Sequence, residues 1–496
     1  MAQSGLPKSL WKFYIKYAVR GHVALLAAWA LTQVWVNSGT VWLPMMQRWF
    51  VALFEQPATG VSNFIAYALP TVIMLLLLEM SFTTAMVLRD VFSARWRPII
   101  RNQISEELTD YVQRQSMSFW AGRMAGKINS QINYVAEGFL LIIDFVRVAA
   151  LLGMMALNVV LILQVNSYVA VIFGLVFAFR LVYGISMMGP MHRASKQASE
   201  SSSTLSGKLV DSLANFSIVK LFAGASQEKK YLRIARRQQI LDSIHSSFVQ
   251  RLFYAVPGYV WDMSYGVTLF LCVWLFARGG ISISEIVFTM SVYFHVMMAI
   301  SAVIDVIPNI VDKYGSAKKS YDELVVPIEV TDALNAPALH VTHGKIEFKN
   351  VWFRYRAGRR WILRDFSLTI NPGESVGLVG SSGAGKTTLV NLLMRFYDPT
   401  RGQILIDGQD IRNVSQDSLR SNIAFIPQEP TMFNRTIAEN IGYGRSDANL
   451  TQIRAAARRA AADGFIMAAE KQYDTLVGDS GIKMSGGQRQ RVAIAR

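Results

Sequence analysis

The chain has 496 residues, of which 52% are hydrophobic and only 17% charged, and its formal net charge is +16. A soluble globular domain carries about 25% charged residues, so these proportions exclude an ordinary soluble protein; the single cysteine, Cys272, excludes an internal disulfide framework and a Cys/His metal set. The Lys and Arg residues cluster beside long apolar runs, the pattern of cytoplasmic loops in an integral membrane protein, and no nucleic-acid partner is expected.

No short apolar stretch with a small-residue cleavage site opens the chain, so its first apolar segment reads as a retained span. A helix needs about 20 apolar residues to cross the hydrocarbon core. Six runs qualify, at roughly 20–54, 62–90, 134–164, 166–190, 252–278 and 283–311. Asn37-Ser38-Gly39-Thr40 could divide the first into two spans. A seventh span would put Lys8, Lys12, Lys16 and Arg20 outside, against the positive-inside rule, so six spans are expected. The Arg/Lys-rich stretches 91–132 and 191–250 then face the cytoplasm and read as helical continuations of the spans.

Ionisable residues inside spans are costly and face a cavity or one another. Asp144 and Arg147, three apart, are expected to pair, as are Glu79 and Arg180 across helices; an acidic-leaning cavity for cationic amphipaths is the functional alternative. Asp262, His295 and Asp305 also fall within or near the spans. Trp35, Trp42 and Trp49 recur every seven residues and share a helix face, which suits anchoring at the outer interface or helix packing.

Near residue 325 the character changes. Residues 1–324 read as the transmembrane domain, 325–344 as a linker and 345–496 as a soluble α/β domain. Three β-like runs open the latter: Lys345–Phe348, Phe366–Ile370 and Ser375–Val379. The third leads into Gly380-Ser381-Ser382-Gly383-Ala384-Gly385-Lys386-Thr387-Thr388, followed by the helical pattern of Leu389–Leu393. This is G-x-x-x-x-G-K-[ST] between strand and helix. Its glycines let backbone N–H groups converge on phosphates, and the helix N-terminus adds positive dipole. Lys386 should reach the β- and γ-phosphates, and Thr387 should place its hydroxyl on Mg²⁺. The motif says ATP or a similar nucleotide without saying which machine.

Further on stands Met484-Ser485-Gly486-Gly487-Gln488-Arg489. Ser485 and Gln488 form a capping box before a helix, and a helix start with two glycines makes an anion site. This segment resembles the LSGGQ signature of ATP-binding-cassette proteins, with Met484 in place of Leu. The resemblance implies that Ser485, Gly486, Gly487 and Gln488 bind nucleotide held by the phosphate loop of a second subunit. It implies that Tyr355 stacks on adenine and that Gln428 is the glutamine that contacts Mg²⁺ and senses the membrane domain. It implies that Val477–Gly481 is the loop preceding the signature, with Asp479 where a glutamate is usual. Residues 115–120 with 126–130, and 211–215 with 219–222, fit the cytoplasmic loops that carry coupling helices.

The implied whole is a six-helix membrane domain of exporter type followed by a P-loop NTPase domain. It would work as a homodimer, or with a related half-transporter, exporting a small or amphipathic substrate by alternating access. ATP and Mg²⁺ are the implied cofactors, and a bacterial inner membrane with cytoplasmic ATP-binding domains is the implied setting. Uptake on the same fold, or an ATP-gated channel, are the rival readings. The family also has an Asp-Glu pair after the signature helix and a later switch histidine. Neither occurs here, and none of the six histidines lies beyond His343. The chain is therefore expected to be truncated at its C-terminus and unable to turn over ATP.

Overall fold

The computed structural model describes residues 6–19, 22–55, 61–355, 360–381, 383–445, 447–478 and 484–496. It divides into two compact units. The first is Met1–Arg114 with Gly122–Pro327; the second is Gln115–Ala121 with Ile328–Arg496.

Among its described residues the first unit forms helices and no strand: α1 Leu10–Val19, α2 Val23–Ala52, α3 Val61–Gln113, α5 Ala125–Gly138, α6 Leu141–Val165, α7 Ser167–Ala214, α8 Phe216–Leu221, α9 Ala225–Ala277 and α10 Ile283–Leu324. The short α4, Met117–Trp120, lies in the second unit. Among the described residues five helical stretches are long and apolar enough to cross a membrane: Ala68–Gln113, Ala125–Val165, Ser167–Ala214, Ala225–Ala277 and Ile283–Leu324. The sixth expected span, α2, has the length, at 30 residues or about 45 Å. It is not among the five, and its middle carries Gln33, Asn37, Ser38, Gly39 and Thr40. It runs unbroken through these residues, so the two-span division does not occur. Ser38 and Thr40 each donate to the carbonyl three residues back, which satisfies their hydroxyls inside the helix.

Apolar side chains point both ways here. Leu76, Leu77, Met80, Val87, Leu175 and Val182 are exposed, as a surface bathed in lipid requires, because lipid tails match them as well as protein does. The interior is built where α6, α7, α9 and α10 meet, around Ile162, Phe173, Cys272, Val292, Tyr293 and Met297. Cross-helix polar bonds differ from those expected. Asp144 on α6 accepts from Lys313 on α10 at 2.8 Å, in place of a local pair with Arg147. Arg180 on α7 donates to the Met297 carbonyl at 3.2 Å and to Ser301 at 2.8 Å, both on α10. Trp35, Trp42 and Trp49 are all exposed, on one face of α2.

In the second unit a four-stranded antiparallel sheet has the order β2-β1-β3-β4, with β1 Ile346–Phe353, β2 Leu363–Ile370, β3 Arg401–Ile406 and β4 Gln409–Asp410. Phe348 pairs with Leu368 on one side and Ile404 on the other. The β3–β4 hairpin escaped the sequence reading, although Asp407-Gly408 is a hairpin signal; both residues take positive φ, 46° and 78°. Gly402 is obligatory: a Cβ there would stand 2.2 Å from the Asn350 carbonyl oxygen. The expected third strand is a correction. Ser375–Val379 is outside the sheet, with Val376, Leu378 and Val379 exposed. An apolar run reports a face to be covered. A strand needs in addition a neighbour in register for its N–H and C=O groups, and none among the described residues pairs with this one.

Beyond α4, the α-helices described in this unit are α11 Lys386–Leu393, α12 Gln416–Ser421, α13 Ile437–Gly442, α14 Leu450–Arg459, α15 Asp463–Met467 and α16 Gly486–Ala495. Among this unit's described residues two separate apolar clusters result. One joins the sheet to α11 and α12 through Phe348, Val351, Leu389, Leu392, Ile404 and Leu419. The other joins α13, α14 and α16 through Ile437, Ile441, Ile453, Ala457 and Val492.

Candidate nucleotide site

The glycine loop sits on the first cluster. Leu389 and Leu392 bury one face of α11 and fix where its N-terminus points. Gly380, Gly383 and Gly385 take φ of 154°, 83° and 95°; for the last two an L side chain would be strained. At Gly385, the N-cap of α11, a Cβ would also press on Ile362 at 3.1 Å. Gly383 and Gly385 thus let the loop turn sharply into the helix. Ala384 N–H donates to the Ser381 carbonyl at 3.1 Å, closing the turn.

Lys386 arches back over the loop. Its Nζ donates to the carbonyl oxygens of Gly380 at 2.6 Å and Ser381 at 3.1 Å. Its ammonium is therefore held across the loop mouth, beside the free N–H groups of a helix start. Thr387 is exposed, next to it. Thr388 is buried, and its hydroxyl lies 3.0 Å from the Tyr355 hydroxyl. The Tyr355 ring is edge-on to Phe353 at 4.9 Å and Tyr397 at 5.1 Å. Phosphate loop and Tyr355 are thus one constellation. Gln428 is exposed, in the bend after Pro427. Ser382 and Asp479 lie outside the described residues.

The loop's own groups fit a polyphosphate and a hard cation: N–H groups at a helix start, the Lys386 ammonium and the exposed Thr387 hydroxyl; no hydrogen bond among the described residues joins Gln428 to them.

The signature segment sits on the second cluster, through Val492 and Ala493 of α16. The expected capping box is present: Ser485 Oγ accepts from Gln488 N–H at 3.2 Å, and Ser485 N–H donates to Gln488 Oε1 at 2.9 Å. Ser485, Gly486 and Gly487 are exposed. A Cβ added at either glycine would meet nothing within 4 Å, so this helix start presents an open surface.

Two anchors were invisible to motif reading. Arg395 follows α11 and is 2% exposed; it donates to Asp332, Asp398 and the carbonyls of Val414 and Thr331. Asp407 accepts from the backbone N–H of Thr342, His343, Gly344 and Lys345 at 2.7–3.0 Å, which holds its carboxyl well below the usual carboxylate range. Nothing local marks Arg395, whose partners are up to 64 residues away. For Asp407, the Asp-Gly turn was the available signal.

Comparison with known proteins agrees with this geometry. Residues 31–301 match the family model for the ABC transporter transmembrane region, and residues 363–496 match that for the ABC transporter. A putative multidrug export ATP-binding/permease protein of Bacillus subtilis is 31% identical over 402 residues, covering 79% of this chain and 68% of that protein. An ATM1-type heavy metal exporter of Novosphingobium aromaticivorans is 37% identical over 289 residues, 58% of this chain and 47% of that one. An uncharacterized ABC transporter ATP-binding protein of Haemophilus influenzae is 30% identical over 393 residues, covering 77% of this chain and 63% of its own. This chain's matches thus span about half to two-thirds of these relatives' length. A solved structure of a bacterial Atm1-family ABC exporter with ATP bound superposes with a TM-score of 0.82 at 27% identity, over 96% of this chain and 84% of that one. Glycine loop, capped signature turn, long apolar helices and these matches together place the chain in the ATP-binding-cassette transporter family, as an exporter-type half-transporter with its membrane helices and nucleotide-binding domain on one polypeptide.

Proposed function

We propose that the whole protein exports a small or amphipathic substrate across a membrane by ATP-driven alternating access, as a dimer of two such chains. One observation carries the reading. A single chain holds a Lys386-latched phosphate loop on one apolar cluster and an open, capped Ser485–Gly486–Gly487 turn on another. In the proposed dimer each chain's signature turn meets nucleotide on the partner's loop.

In that dimer Lys386 would neutralise the β- and γ-phosphates, Thr387 and Gln428 would supply oxygens to Mg²⁺, and Tyr355 would meet the adenine. The protein's part in phosphoryl transfer is positioning and charge stabilisation for in-line attack of water. The substrate class follows the relatives, whose names speak of multidrug and heavy metal export. The nucleotide-binding domains are assigned to the cytoplasm, because six spans put the C-terminal domain on the same side as the Arg/Lys-rich stretches 91–132 and 191–250, and the membrane to a bacterial inner membrane.

The test uses the full-length protein. A heterodimer combining a Lys386→Ala subunit with a Ser485→Arg subunit keeps one intact composite site if the turn acts across the dimer. One tight ATP site is expected. A heterodimer with no tight site rejects the arrangement. Substrate-stimulated phosphate release in vesicles, coupled to outward movement of the substrate, separates export from uptake and from a gated channel.

A further inference from the structure

Three observations trace the stripe of α7 that faces α10. Arg180 donates to Ser301 at 2.8 Å, a Cβ on Gly184 would stand 4.0 Å from Ile304, and His192 Nδ1 lies 3.8 Å from Asp312 Oδ1. Met188, midway between Gly184 and His192, belongs to the same stripe, because positions four apart lie on one helix face. Met191 stands three residues after Met188 and directly before His192. Residues three and four apart on a helix are neighbours, so two thioethers and an imidazole share one face. Met187 does not belong with them: five residues from His192, it stands about 140° round the helix. Met188 and Met191 are half-buried, while the His192 side chain is 62% exposed. The group is therefore sheltered on its sulfur side and open to solvent on its imidazole side.

Thioethers are soft, uncharged donors that select Cu(I)-like ions over hard ones, and imidazole suits copper as well. Among the described residues no group of three His, Cys, Asp or Glu could hold a metal ion, so Zn²⁺ lacks its ordinary ligand set here. Asp312 supplies the outer layer. A metal-binding imidazole gives its other ring N–H to a carboxylate or carbonyl, which fixes the ring. Nδ1 of His192 is the nitrogen turned to Asp312, which leaves Nε2 for an ion. Nearby ammonium groups are engaged elsewhere: Lys313 meets Asp144 at 2.8 Å and Lys196 meets Glu200 at 3.8 Å. Gap filling accounts for methionines between helices. It does not account for an exposed histidine at i+4 that is oriented by a carboxylate on the facing helix.

We propose that Met188, Met191 and His192 bind a soft monovalent metal ion, Cu(I) or Ag(I), through two thioether sulfurs and Nε2. Asp312 is a positioning residue that reaches the ion only through His192. Since it stands on α10, the ion is held best when α7 and α10 are spaced as they are here. The assignment rests on neither the nucleotide site nor the direction of transport.

The test titrates Ag(I) into the detergent-solubilised chain in a Cys272→Ala background, which removes the single thiol, and records X-ray absorption of the bound ion. One tight equivalent per chain is expected, with two sulfur neighbours and one nitrogen. Met188→Leu/Met191→Leu keeps the side-chain volume and abolishes that equivalent. His192→Gln alters an exposed side chain, leaves the fold intact and removes the nitrogen from the spectrum. Asp312→Asn keeps the two-sulfur, one-nitrogen shell and weakens binding about 10- to 100-fold; full affinity in that variant refutes its positioning role. Excess Zn²⁺ leaves the bound Ag(I) in place. Absence of a tight equivalent, equal affinity in the double-leucine protein, a shell of sulfur alone, or displacement by Zn²⁺ would each overturn the proposal. If the double-leucine protein melts early, the His192→Gln spectrum decides: an unchanged nitrogen neighbour there overturns the site, and its loss supports it.

Discussion

Replacing Arg395 with Met should loosen the nucleotide-binding unit around its phosphate helix. Arg395 is 2% exposed and makes four bonds: to Asp332 and Asp398 at 3.2 Å, and to the Val414 and Thr331 carbonyls at 2.9 and 3.1 Å. It ties residues 331–332 and 414 to the C-terminal end of α11. Removing one partner of a buried ion pair costs about 3–5 kcal/mol when the remaining charge is stranded. Here the two carboxylates are 31% and 35% exposed. Asp332 also keeps the backbone and side-chain N–H groups of Gln416 at 3.0 Å. Water and Gln416 therefore offset part of the loss, and the expected cost falls to about 2–3 kcal/mol. In a unit of this size that lowers the melting temperature by about 5–10 °C. Arg395→Lys restores the charge without the fork and recovers only part. The assay is thermal unfolding of the detergent-solubilised chain, with hydrogen exchange at β1 and α11 to locate the change. Arg395→Met melting within about 1 °C of the parent, with unchanged exchange at α11, would refute the anchor argument.

Lys386→Ala deletes the latch on Gly380 and Ser381 and the point charge meant for phosphate. Bonds to charged groups are worth about 1.5–3 kcal/mol, so ATP affinity measured by titration should fall about 10- to 100-fold; equal affinity removes the phosphate-loop assignment. Ser485→Ala removes an N-cap and should cost about 1 kcal/mol in α16, read as faster amide exchange over Gly486–Ala495; unchanged exchange there would show the cap to be idle. The lowered Asp407 carboxyl makes a pH prediction. Because its folded value is depressed, its contribution is complete above about pH 4 and is lost as pH falls from there toward the folded value. Melting of the second unit should therefore drop on acidification, and Asp407→Asn should flatten that drop; parallel curves for the two proteins would contradict it. For topology, cysteines replacing exposed Arg278 and Ser206, in a Cys272→Ala background, should label from outside and only after permeabilisation, respectively. The reverse pattern overturns the orientation of the spans.

The local chemistry of this protein is written in its sequence. The Gly380–Thr388 loop, the Ser485–Gln488 capping box and the long apolar helices rest on spacing along one strand of chain. Backbone preference and hydrophobic period act over a few residues, so each was legible by itself, and the family resemblance followed from them. What the fold alone decided is everything that depends on a neighbour. Asp144 takes Lys313 from another helix over Arg147 on its own, because the packing of α6 on α10 brings that ammonium to 2.8 Å. The apolar run Ser375–Val379 is no strand of the sheet, while Arg401–Ile406 pairs with β1. Tyr355 turns out to share a hydroxyl contact with Thr388, 33 residues on. Arg395 is buried only because residues 331, 332, 398 and 414 converge on it. A charge or an apolar run states what must be satisfied. Which group satisfies it is settled by whichever partner the packed chain brings within reach, and that is a property of three-dimensional distance that no period in the sequence encodes.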